Sequence, residues 1–457
     1  MSQIEHSLAE FICTQQADQV PAATQQVLRR MLMAAIGTGI AGAAEDGIAA
    51  LRDLLLEAGG APQATTLVFG DRLPASAAAQ FNGTMCRALD YCDAMAPGPH
   101  IGSALLPAAL AAAELSGGCT GSEFMAALAA GAELSSRFNL TEAQYNGFDP
   151  TGVSVVFAAA AAAARIMKLN AEQTVHALGL AFNRCGGSFQ NNVDGSLGVR
   201  IVQGWVAQAG VQCAQMAQRG MTGPSNFLTG HYGYAFLYGR GTLDSTAVAQ
   251  GLGDEWKLHN MVFKKYPSCG VTQGVTELAL DLVAELALNS KNVRSVEIRL
   301  PPYAHRLVGH PFQIGANPRV DAQFSAAYCV ANVLVRGSSR LEHFAPSQVH
   351  DPVVHELISR TRVIADPALD ARGHTAVDLI VTTTDGQSHH RALDLAPGFP
   401  GAELDDAQHL ARFNDCLAYA PRPLLQGQVD RLLSALGGLT TLPDVRALVP
   451  LLSQETS

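Results

Sequence analysis

From the N-terminus to about residue 260, apolar positions recur at helical spacing, which predicts helix almost throughout. One apolar helix runs from near Ile101 to the Gly117-Gly118 pair and carries Glu114. The next opens at Thr120-Gly-Ser-Glu123, a capping-box pattern in which two side chains satisfy the first free backbone N–H groups. Asn170-Ala-Glu-Gln173 repeats the device. Between them, Ala158 to Ala164 is an unbroken alanine run. Alanine combines the best helix propensity with no bulk, so this helix can be packed closely on every side.

After about residue 290 the period shortens. Arg294-Ser-Val-Glu-Ile-Arg-Leu300 alternates as a half-buried strand does. Val377 to Thr384, then Asp385-Gly386, then Gln387 to Leu393 predicts a β-hairpin closed by a two-residue turn. Helical patterns at 272–288 and 322–336 accompany the strands, and helix returns at 407–416 and 424–436. The expected architecture is mainly α: an all-α helical domain from residues 1–265 and 403–457, interrupted by a smaller α+β domain over 266–402.

Composition narrows the class. A chain of 457 residues exceeds what one core usually organises, in keeping with two domains. With 48% hydrophobic and 15% charged residues, it is too apolar for disorder. A formal charge of -10 and no run of Lys or Arg argue against a nucleic-acid partner. Met1 to Asp18 shows no basic and apolar leader, and the longest apolar stretches are interrupted before membrane length, so no membrane association is expected. The nine cysteines are scattered, without CxxC or Cys/His metal spacing. Buried thiols in a reducing cytoplasm are therefore expected, with no metal site.

Four polar stretches stand out. In Phe81 to His100, Asp90, Asp93 and His100 flank a Pro/Gly-rich turn leading into an apolar helix. His100 would lie at the positive end of that helix, where anions are attracted. The same residues also suit simple turn and helix caps. In Tyr145-Asn-Gly-Phe-Asp-Pro-Thr-Gly152, Asp149 and Thr151 are ordinary helix-starting residues. Arg200 sits alone in an apolar, Gly-rich setting, which demands an anion, either an internal carboxylate or a substrate's. Lys264, Lys265 and Ser268 occupy a Pro-containing loop at the domain junction; the lysines suit a carboxylate clamp or solvated surface charges. Tyr328, on a helix of small residues, suits core packing with a hydrogen-bonded tip.

Taken in order, these segments resemble the MmgE/PrpD family, which includes 2-methylcitrate dehydratases, cis-aconitate decarboxylases and iminodisuccinate epimerases. The resemblance rests on Asn82-Gly-Thr through Ala88-Leu-Asp-Tyr-Cys-Asp93 to His100, Gly147-Phe-Asp-Pro-Thr-Gly152, Gly220-Met-Thr-Gly-Pro224, Phe263-Lys-Lys-Tyr-Pro-Ser-Cys269 and Ala322-Gln-Phe-Ser-Ala-Ala-Tyr328. It implies a helical body formed by both chain ends, an α+β lid and a homodimer. It also implies that Asp90, His100, Lys264 and Tyr328 line the active site, without a redox cofactor or metal. His100 would then be the general acid/base, and Lys264 would neutralise a substrate carboxylate. Asp90 would orient the histidine or a water, and Tyr328 would donate a proton or hold a carboxylate. Asp93, Asp149, Arg200, Lys265 and Ser268 would contact the substrate.

The implied activity is a cofactor-independent, dehydratase-like lyase acting beside a carboxylate of a small hydroxy-polycarboxylic acid. An epimerase or isomerase of a dicarboxylate, and a non-catalytic metabolite binder, are the alternatives. The chain also departs from the family pattern. Asp149 and Arg87 stand where histidines are typical, Ala94 where threonine is, and Val199, beside Arg200, where lysine is. Losing cation-capable residues and gaining an acid argues against cis-aconitate decarboxylation. A substrate with fewer carboxylates, or one whose amine pairs with Asp149, suits these charges better.

Overall fold

Alanines 158 to 164 are all fully buried, as a run without bulk permits. They lie on helix Pro150–Ile166, which packs against helices Gly102–Leu115, Gly121–Arg137 and Gly198–Gln218. The computed structural model describes residues 2–453 and divides them into two compact units: residues up to 261 with those from 416, and residues 262–415. Residues 262–265 and 403–415 thus group with the second unit, not with the helical body expected to hold them. The division falls within helix Asp406–Tyr419.

In the first unit both capping boxes form: Thr120 accepts from the Glu123 amide and Asn170 from that of Gln173. Helix Ala22–Ala41, with the short turn Gly42–Ala44 after it, is long and apolar enough to cross a bilayer, contrary to the expectation from sequence. Most of it is buried inside the unit, which is how a core helix behaves. Residues 219–260 also depart from the helix predicted there. They form turns, with short helical segments such as Tyr234–Leu237 and Ser245–Ala249. Glycine recurs every few residues in this stretch, and each costs a helix about 1 kcal/mol. The turns are held by buried charge instead: Arg137 donates to the carbonyls of Val248, Gln250, Gly251 and Glu255.

The second unit is built on a four-stranded sheet, in the order Thr361–Ala365, Val293–Leu300, Val377–Thr383, Ser388–Leu393. The first pair is parallel and the others antiparallel. Val296, Ile298 and Leu300, with Val377, Leu379 and Val381, point into a core shared with helices Gln273–Leu286 and Ala326–Arg336. The predicted 322–336 helix is broken: Pro318–Gln323 ends, and Ser325 caps a new helix by accepting from the Tyr328 amide. The hairpin turn is one residue longer than expected. Thr383 pairs with Gln387, and the Gly386 amide donates to the Thr383 carbonyl with Gly386 at φ 91°.

Asp415 accepts from the Leu341 amide at 3.0 Å, and burial pushes its carboxyl up to about 6. An acid whose folded value is raised contributes fully below its unfolded value and loses that contribution as pH rises through the folded one. Asp415→Asn keeps an acceptor for Leu341. It should therefore stabilise the second unit above about pH 6, by up to about 3 kcal/mol, and make no difference below about pH 4. Urea denaturation at the two pH values, followed by a probe in this unit, checks the sign.

Candidate active site

Helix Ala75–Arg87 ends in a turn in which the Asp90 amide donates to the Arg87 carbonyl. Asp90 takes a left-handed conformation there, φ 51°, which aspartate tolerates better than most residues. This returns its carboxylate to Arg87, whose Nη1 lies 2.6 Å from Oδ1. The same oxygen is 3.9 Å from Nε2 of His100. All three side chains are nearly buried.

His100 is fixed at three points. Its amide donates to Oγ1 of Thr151 at 3.0 Å, Nδ1 lies 2.7 Å from the Asp93 carbonyl, and the Cys92 sulfur is 3.5 Å from Nδ1. A carbonyl can only accept, so Nδ1 carries hydrogen and Nε2, turned towards Asp90, is the basic nitrogen.

Asp93 has a different task from the substrate contact expected of it. Fully buried, its Oδ2 accepts from the amides of Ile101 and Gly102 at 3.0 and 2.9 Å. It is the anion at the positive end of helix Gly102–Leu115, a place the sequence offered to an external one. The approach is so close that a Cβ on Gly102 would fall 2.4 Å from Asp93 Oδ1, so only glycine fits. Asp149 caps the alanine helix, accepting from the Thr151 and Gly152 amides at 2.9 and 3.2 Å. Burial raises its carboxyl above the usual range, opposed by those amides and by Arg87.

The structure thus sets Arg87 against Asp90 and Asp149, with His100 facing the same Asp90 oxygen. Arg87 had been noticed only as a departure from a family pattern. Its signal was an arginine three residues before an aspartate in apolar helical sequence. Arg200 finds an internal partner, which corrects its assignment to substrate: Nη1 donates to the Asp46 carbonyl at 2.7 Å, and Nη2 lies 3.7 Å from Glu45.

In the second unit, the loop through Lys264 and Lys265 is tightly held. Gln273 Nε2 donates to the carbonyls of Tyr266, Ser268 and Cys269, and Gln323 Nε2 to that of Pro267. Gln323 belongs to the Ala322-Gln-Phe-Ser stretch, so two separate sequence motifs meet here. Lys264 is buried. Lys265 pairs with Glu277 at 2.7 and 2.9 Å, which supplies its counter-charge within the protein. The buried Ser268 hydroxyl bonds that of Thr272 at 2.8 Å, a loop-stabilising role instead of a substrate contact. Tyr328 takes the core-packing position with a hydrogen-bonded tip that its helix of small residues suited. Fully buried, it donates its one proton to the His343 carbonyl at 2.6 Å, and burial pushes the phenol up to about 12. Among the described residues no cluster of three or more His, Cys, Asp or Glu is placed to hold a metal.

The fold and this cluster define a mainly helical, two-unit protein with a nearly buried cluster of titratable side chains. The chain belongs to the MmgE/PrpD family: residues 6–245 match the model of its N-terminal domain and 266–426 that of its C-terminal domain. It is 26% identical to the cis-aconitate decarboxylase-like protein oryM of Aspergillus oryzae, over 87% of each chain. It is also 26% identical to the human cis-aconitate decarboxylase, over 83% of this chain and 80% of that one.

Proposed function

We propose that the chain is a lyase that removes a proton from carbon beside a carboxylate of a small hydroxy acid and expels the hydroxyl as water. The observation that carries this is His100: Nδ1 anchored at 2.7 Å on the Asp93 carbonyl, with basic Nε2 facing Asp90 in a nearly buried setting. A base fixed in one tautomer and orientation spends no reorganisation at the moment of transfer. Nε2 takes the proton as the C–H bond breaks. The imidazolium then gives a proton to the departing hydroxyl, so the C–O bond breaks and water leaves. The relatives, named as decarboxylases, support chemistry of the lyase kind.

Charge supports a substrate smaller than a tricarboxylate. The cluster of the first unit sets two carboxylates, Asp90 and Asp149, against one guanidinium. An additional anion there would meet repulsion, so a hydroxy-dicarboxylate is the better fit.

Incubation with a panel of hydroxy- and amino-dicarboxylates and with citrate, in deuterated water, tests this reading. Loss of water from a hydroxy-dicarboxylate, with an alkene product, is the expected result. Deuterium in recovered substrate without product would mean epimerisation instead. Turnover of citrate alone would overturn the charge argument.

A further inference from the structure

We propose that Arg87 is a positioning residue of this site: it holds the Asp90 carboxylate opposite Nε2 of His100 and so governs the proton affinity of that imidazole, instead of gripping a substrate carboxylate. The proposal rests on the reading of His100 as the base.

Three observations converge on Arg87. Its Nη1 lies 2.6 Å from the Asp90 oxygen that faces His100 at 3.9 Å, so one atom is shared between guanidinium and imidazole. The side chain is nearly buried, and no water replaces a lost partner cheaply at such a place. Burial works against its charge, yet Asp90, then Cys92 and Asp149, more than offset it, and the guanidinium is held more firmly protonated than usual. Asp149 belongs to a different segment, at the start of helix Pro150–Ile166, whose Thr151 also anchors the His100 amide. Arg87 therefore couples by charge to the end of its own helix and to the start of another, the one that anchors the His100 amide.

The charges near His100 can be followed group by group. Asp90 draws a proton onto Nε2, and Arg87, paired with the same Asp90 oxygen, opposes it. The Asp93 carboxylate is engaged at the amides of Ile101 and Gly102, while its carbonyl holds Nδ1. Cys92 contributes a sulfur beside Nδ1. Without Arg87 the Asp90 carboxylate would act more strongly on the imidazole. The ring would then hold its proton to higher pH, and an imidazolium cannot take a proton from carbon. With two internal carboxylates already opposite it, Arg87 has no charge to offer a substrate.

Nitrogen-15 NMR of histidine-labelled protein tests this without a substrate. The His100 resonances, identified among the fourteen histidines by their loss in His100→Asn, are titrated in wild type, Arg87→Gln and Arg87→Lys. Arg87→Gln should raise the His100 midpoint by about one to three units, and Arg87→Lys should largely restore it. Asp90→Asn, which removes the carboxylate facing Nε2 and leaves Arg87 in place, should move it downward and serves if Arg87→Gln does not fold. An unmoved midpoint in a folded Arg87→Gln, or in Asp90→Asn, overturns the proposal. Retention of proton abstraction by His100→Asn would instead overturn the reading of His100 as base, whatever the titrations give.

Discussion

Replacing His100 by asparagine is expected to slow deuterium exchange and water loss by about 10²–10⁴-fold while barely changing the melting temperature. The choice of asparagine follows from the geometry. Its amide nitrogen occupies nearly the position of Nδ1, so the Asp93 carbonyl keeps a donor, and the main-chain bond to Thr151 is untouched. What disappears is Nε2, the atom that faces Asp90. A loss of rate without a loss of stability would therefore locate the proton transfer at that nitrogen. Activity within about threefold of wild type would remove His100 from the mechanism and leave the cluster a purely structural network. The comparison must be made at saturating acid, because a change confined to KM would indicate a binding role instead.

The contacts that fix His100 are only partly legible in the sequence. Local signals were legible: both capping boxes, the alanine helix and the alternation of the central strand depend on residues within one or two turns of each other. The same is true of Asp149, whose capping role follows from the Pro-Thr-Gly after it. Pairings across distance were not legible. Arg200 required an anion, but Glu45 lies 155 residues away and nothing local distinguished it from a substrate carboxylate. Arg87 and Asp149 are 62 residues apart, and each alone looked like a lost histidine; only the fold shows that the two changes meet as opposite charges. Tyr328 was ambiguous for another reason. A tyrosine on a small-residue helix can serve a core or a site, and the direction of its hydroxyl, towards the His343 carbonyl, is a tertiary fact. The glycine-rich 219–260 stretch was misread because apolar spacing was given more weight than the cost of its glycines.

That stretch also carries the largest stability effect expected in the molecule. Arg137→Met should destabilise the first unit by about 3–5 kcal/mol, the usual consequence of removing one partner of a buried ion pair. Arg137 and Glu133 are almost wholly buried and 2.6 Å apart on helix Gly121–Arg137. Arg137 also holds four carbonyls between Val248 and Glu255, while Glu133 accepts from the Lys257 and Leu258 amides at 3.0 and 3.1 Å. Methionine would fill much of the space but would leave the glutamate charge and the four carbonyls behind. Burial already raises the Glu133 carboxyl, opposed by the Lys257 amide and by Arg137, so deleting Arg137 should raise it further. The sign of the pH dependence follows: protonation relieves the unpaired charge, so the deficit of Arg137→Met should be greatest at about pH 8 and shrink towards about pH 5. Adding Glu133→Gln keeps an acceptor while removing the charge, and should recover part of the loss at the higher pH. Urea midpoints of the three proteins at both pH values decide the matter. An equal deficit throughout, with no recovery in the double variant, would mean that the lost carbonyl contacts, and not the stranded carboxylate, account for the cost.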